Sequence, residues 1–200
     1  GTGLGAPRLS EQDATNQALP TATRAMHGIS TCPAQTMALG AVLAAHARPG
    51  DLIALVGELG AGKTQLARGF ARGMGLDESI ISSPTFVLMH EHESEAGGPV
   101  LVHIDAYRLT TDDDLTSIGW ETVGGGELRD GAIVIVEWAD RMRTMLGDDR
   151  LEVELTHEQG ERRVVRVTAG GSWASRASGL LGALKDAGMT FSDGRTDDEG

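Results

Sequence analysis

A continuous apolar run, Leu52-Ile53-Ala54-Leu55-Val56, opens straight onto Gly57-Glu58-Leu59-Gly60-Ala61-Gly62-Lys63-Thr64. This junction constrains the fold more than any other stretch of the chain. Five consecutive apolar residues predict a strand buried on both faces, as in a parallel sheet. The eight residues after it satisfy every fixed position of G-x-x-x-x-G-K-[ST]. Glycines let the backbone curl so that successive N–H groups point inward at phosphate oxygens. A helix predicted over residues 62–74 adds its positive dipole end. Lys63 can reach β- and γ-phosphates, and the Thr64 hydroxyl can ligate Mg²⁺. The chain has 28 glycines, 28 serines plus threonines and only two lysines, Lys63 and Lys185, in 200 residues. Chance therefore supplies about 0.005 such matches.

A phosphate loop holds a magnesium nucleotide well only with a carboxylate at the end of a neighbouring strand. Two acids qualify. Asp105 closes the run 101–104, and Glu137 closes the run 133–136. The carboxyl ends of parallel strands share one edge of a sheet, so both acids can face the loop. The pattern alone leaves open which of them is nearer the metal.

The remaining elements fill out an α/β domain. Thr31 with Pro33 predicts a helix start, and Met37, Leu39, Val42 and Leu43 supply its apolar face. Residues 100–104 and 132–136 read as further buried strands. Segments 151–155 and 163–167 alternate and are joined by Glu158-Gln159-Gly160, which predicts an antiparallel hairpin. Thr110 or Thr111 with Asp112, Asp113 and Asp114 reads as an acid-rich helix start. A closing helix is predicted over 173–187. The expected fold is a three-layer domain of the P-loop NTPase type, with a mainly parallel sheet and antiparallel additions. Residues 1–29 read as a flexible tail, 30–188 as one domain, and 189–200 as an acidic tail.

Composition excludes several classes. With 17 basic and 29 acidic residues the net charge is −12, so phosphate backbones are repelled and autonomous DNA or RNA binding is not expected. No apolar run reaches the roughly 18 residues of a membrane span. No basic flank with an apolar stretch marks a secretory signal. The lone cysteine, Cys32, excludes an internal disulfide framework and a cysteine zinc cluster, and a reduced cytoplasmic setting is expected.

Taken in order, the motifs resemble the TsaE family, small bacterial P-loop ATPases needed for threonylcarbamoyl modification of the adenosine beside the tRNA anticodon. Residues 36–44 resemble the family's first helix, and Gly50-Asp51 precedes its first strand. The phosphate loop follows, then Arg68-Gly69. Ser83-Pro84-Thr85-Phe86 resembles its switch-like loop, His103-Ile104-Asp105-Ala106-Tyr107-Arg108-Leu109 its H-x-D-x-Y-R-L segment, and Glu137-Trp138 its E-W pair. Ala106, Ala139 and His92 stand where the family often has other residue types.

The resemblance implies a set of roles. Thr64 and Glu137 would ligate Mg²⁺. Gly60, Ala61, Gly62, Lys63, Thr64 and Gln65 would hold ATP phosphates. Asp105 would act near the γ-phosphate, and Tyr107, Arg108 and Trp138 would be needed for activity. Ser83 and Thr85 would line the nucleotide, with Cys32 and Arg162 beside its base. The implied partner is a TsaB–TsaD-type complex, which holds the tRNA.

Other readings compete for some residues. His90-Glu91-His92 invites a metal site, but a solvated strand end accounts for it more simply. Arg68 and Arg108 invite an arginine-finger reading, better suited to Arg108 because it follows Asp105. A small-molecule kinase and a nucleotide-dependent interaction module are the rival functions. A GTPase is disfavoured because neither lysine sits in an N-K-x-D segment.

Overall fold

The structure is a computed structural model and describes residues 23–82, 89–94, 97–109, 119–120 and 130–194. In chain order the elements are β1 (Arg24–Ser30), α1 (Pro33–His46), β2 (Leu52–Gly57), α2 (Lys63–Gly73), β3 (Met89–His92), β4 (Val100–Asp105), β5 (Ala132–Glu137), β6 (Leu151–His157), β7 (Arg163–Ala169), α3 (Ser172–Asp186) and β8 (Thr190–Gly194). Short 3-10 segments at Ala106–Arg108 and Ala139–Met145 follow β4 and β5.

One sheet runs in the order β3-β4-β5-β2-β6-β7-β1-β8. The four strands β4, β5, β2 and β6 are mutually parallel. β3 is antiparallel to β4, and β7, β1 and β8 extend the other side by antiparallel pairing. The parallel sheet expected from the apolar runs is thus the centre, and the antiparallel additions supply as many strands again.

Burial follows the sequence periods. Every residue of β5 is buried, as are Leu52, Ile53, Ala54 and Leu55 of β2; these strands are covered on both faces. β6 and β7 alternate instead, with Leu151, Val153, Leu155, Val165, Val167 and Ala169 inward. Against one face, α1, α2 and α3 pack Leu39, Leu43, Leu66, Phe70, Trp173 and Leu180. Complete burial of Leu66 or Phe70 contributes roughly 1.5–3 kcal/mol each. Against the other, Leu109, Trp120, Ala139, Met142 and Leu146 close over Ile104, Val134 and Val136.

Helix α2 is set in place by α1. A Cβ on Gly69 would overlap the Met37 carbonyl, and one on Gly40 would overlap that of Leu66. Only glycines allow the two backbones to approach this closely.

Each segment expected to be a tail contains a strand. Arg24–Ser30 is a strand between β7 and β8, not flexible chain. Thr190–Gly194 pairs with it, with Phe191 buried so closely over Gly28 that a Cβ there would fall 2.6 Å from the ring. The first helix is capped one residue later than predicted, at Cys32. The backbone N–H and the hydroxyl of Thr31 instead donate to Gln35 Oε1 at 2.7 and 3.0 Å. The acid-rich helix start at Thr110–Asp114 lies outside the described residues. Among the described residues no helix is long and apolar enough to cross a membrane.

Candidate functional site

The loop between β2 and α2 is built by backbone geometry that side chains resist. Gly57 has φ +146° and a Cβ there would strike the Leu155 carbonyl; Gly62, the N-cap of α2, has φ +110°. No side chain caps α2, so the orphan N–H groups of its first turn remain available to an anion. From outside, Arg163 braces the loop, its guanidinium donating to the carbonyls of Ala61 (3.0 Å) and Gly60 (3.3 Å).

Lys63 is buried, and its Nζ donates to the carbonyls of Gly57 (2.6 Å) and Glu58 (2.8 Å). It lies 3.5 Å over the Trp138 ring, a cation–π contact. Burial lowers its pKa, opposed by the charges of Glu137, Asp140 and Asp105. Trp138 is the one non-glycine with positive φ among the described residues, at +58°. That conformation costs of order 1–3 kcal/mol, and it turns the indole onto Lys63 and, at 4.8 Å, onto Tyr107.

Asp105 and Glu137 are register partners at the ends of β4 and β5. They part in their hydrogen bonds. Thr64 Oγ1 donates to Glu137 Oε2 at 2.7 Å, and His103 Nε2 lies 2.9 Å from Glu137 Oε1. The Asp105 carboxylate accepts from the N–H of Tyr107 at 2.9 Å, capping the turn that follows. Glu137 is thus joined to the loop through Thr64.

These parts border a cleft of about 390 Å³. Residues 59–65 of the loop and α2 line it, together with Pro33 and Thr36 of α1, Glu137 and Trp138 at the end of β5, and Glu161 and Arg163. Hard oxygen donors (Thr64, Glu137), a lysine and the uncapped N-terminus of α2 suit a magnesium nucleotide.

Sequence comparison places the chain among known proteins. Residues 30–165 match the sequence model of the Threonylcarbamoyl adenosine biosynthesis protein TsaE family. The chain belongs to the TsaE family. It is 41% identical over 149 residues to the tRNA threonylcarbamoyladenosine biosynthesis protein TsaE of Streptomyces coelicolor, covering 72% of this chain and 97% of that protein. It is 34% identical over 140 residues to the Bacillus subtilis protein of the same name, covering 70% and 83%. The crystal structure of Bacillus subtilis YdiB superposes with a TM-score of 0.61 at 27% identity, over 82% of this chain and 97% of that one. The fold is thus that of a TsaE protein, and the family works in tRNA threonylcarbamoyladenosine biosynthesis.

Of the residues expected at a TsaE nucleotide site, Gly60, Ala61, Gly62, Lys63, Thr64, Gln65 and Glu137 line the cleft. Cys32 does not line it. Its carbonyl accepts from the N–H groups of Gln35 and Thr36, and its neighbour Pro33 reaches the cleft instead. Arg162 does not line it either: it pairs with Glu158 at 2.8 Å on the surface, and its neighbour Arg163 borders the cleft. Strand parity explains this, because Arg163 falls on the same face as Val165 and Val167. Arg108 ends the exposed side of the turn after Asp105 and does not border the cleft. Ser83 and Thr85 lie outside the described residues.

Pro33, Thr36 and Glu161 were not legible as site residues. The His103 contact with Glu137 had one signal, a histidine two positions before Asp105 inside a buried strand. His90 and His92 stack 6.0 Å apart on β3, away from the loop.

Proposed function

We propose that the cleft binds ATP with Mg²⁺ and hydrolyses it slowly, as an accessory to modification of adenosine 37 in tRNAs that read codons beginning with A. The observation that carries this reading is the Thr64–Glu137 hydrogen bond set beside Lys63 within the glycine loop.

Thr64 and Glu137 would hold Mg²⁺, which when bound neutralises charge between the phosphates. Lys63 exchanges the Gly57 and Glu58 carbonyls for phosphate oxygens and withdraws from the Trp138 ring. Loop and first-turn amides such as those of Gly62, Lys63 and Thr64 take the remaining oxygens. Asp105, beside Glu137 at the sheet edge, orients the attacking water or couples the site to the neighbouring loop. Arg108 and Tyr107 stand on the exposed rim, where a partner can reach them. Charge stabilisation rather than covalent chemistry does the catalysis.

Turnover serves as a conformational cycle that sets association with, and release from, a TsaB–TsaD-type complex in the cytoplasm. A net charge of −12 suits a protein that leaves tRNA to its partners. The test is ATP turnover measured alone and with such partners. A partner-dependent rate with nucleotide-dependent association supports the reading, and equal rates with no association contradict it.

A further inference from the structure

His103 sits between Val102 and Ile104 in β4, and it and Glu137 are each 1% exposed. An ionised carboxylate only accepts hydrogen bonds, so the 2.9 Å contact is a donation from His103 Nε2 to Glu137 Oε1. The other oxygen, Oε2, accepts from Thr64. The two oxygens are thus divided between the sheet interior and the loop.

A carboxylate this deeply buried needs compensation, and its natural counter-ion is close by. Glu137 is the strongest charge acting on Lys63. Yet the two form no ion pair: Lys63 is tied to two loop carbonyls, and Glu137 to His103 and Thr64. Direct pairing would consume both the amine meant for phosphate and the carboxylate meant for metal. From the far side, His90 on β3 stands directly opposite His103 in the register.

We propose that His103 is a positioning residue, which holds Glu137 turned toward Thr64 and apart from Lys63 so that each stays available to a magnesium nucleotide. The inference rests on the nucleotide-site reading above and adds a residue that touches neither nucleotide nor metal.

The test titrates Mg²⁺ against binding of the fluorescent nucleotide MANT-ATP. His103→Leu should raise the Mg²⁺ midpoint about tenfold, the usual loss when a group supporting a metal ligand is removed. His103→Gln, whose amide N–H can stand in for Nε2, should restore a midpoint close to the unsubstituted chain. His103→Asn, polar but too short, should behave like His103→Leu, which keeps the test open if the leucine variant folds poorly. In a Glu137→Gln background, His103→Leu should add little.

An unchanged midpoint in cooperatively folding His103→Leu would overturn the proposal. So would an equal loss in both backgrounds, because that is the mark of a general structural effect. If the unsubstituted chain fails to bind MANT-ATP at all, the nucleotide reading falls and takes this one with it. If it binds but ignores His103, this one alone falls.

Discussion

Thr64 and Glu137, 73 positions apart in the chain, meet through a 2.7 Å hydrogen bond where α2 begins and β5 ends. The parallel pairing of β2 with β5 places them there, because parallel strands bring loop and acid to one edge.

Breaking that pair should separate metal dependence from nucleotide binding. Thr64→Ala and Glu137→Gln are each expected to reduce Mg²⁺-dependent ATP turnover by about 10²-fold or more. Mg²⁺-free nucleotide affinity, which rests on Lys63 and the loop amides, should change far less. Turnover and equilibrium binding measured on the same preparations check this.

Trp138 should report occupancy. Its ring carries the Lys63 ammonium at 3.5 Å, whereas Trp120 and Trp173 are buried in the two cores. Adding ATP with Mg²⁺ should alter tryptophan emission in the unsubstituted chain. The change should vanish in Trp138→Phe, whatever happens to affinity.

Arg176 should matter for stability alone. It donates to both oxygens of buried Asp51 (2.7 and 2.8 Å) and to the His46 carbonyl, and stacks 4.0 Å over Trp173. Arg176→Ala leaves the buried Asp51 carboxylate with the Arg48 N–H (2.7 Å) but without its counter-ion, and should cost roughly 3 kcal/mol, read by chemical denaturation. Adding Asp51→Asn should recover part of the loss. Nucleotide affinity of the folded fraction should not change.

His92 should make stability pH-dependent. Burial first, then His103 and His90, hold its imidazole below the ordinary 6.5, and its Nε2 is buried without a partner. Between the lowered value and 6.5 the unfolded chain binds more protons than the folded one. Stability from this group is therefore complete above 6.5 and is lost as pH falls through the lowered value. His92→Leu should flatten the slope, checked by denaturation midpoints across that range.

Legibility tracked how local the deciding physics was. The phosphate loop and strands β2, β4 and β5 were readable because burial on both faces leaves unbroken apolar runs such as Leu52–Val56. β1 and β8 were not. β1 and β8 (Thr190–Gly194) are held by backbone pairing with partners far along the chain, which composition does not reveal, and Gly28 leaves the room that Phe191 fills. Thr31 satisfied the rules for an N-cap, but the helix begins at Pro33 and leaves Cys32 as its cap. In the site, the loop pattern pointed to Lys63 and Thr64, while strand-end chemistry left Asp105 and Glu137 both open and the family resemblance singled out Glu137. Arg163, which strand parity puts on the face of Val165 and Val167, had no local signal, and the Thr64–Glu137 hydrogen bond is a tertiary contact that no local pattern displays.

Isothermal calorimetry of ATP in magnesium buffer decides whether this curl of backbone, with Lys63 at its lip, grips a triphosphate. The account predicts saturable binding at one site per chain, abolished in folded Lys63→Ala. The absence of any heat of binding with well-folded protein, or equal binding by Lys63→Ala, would contradict it.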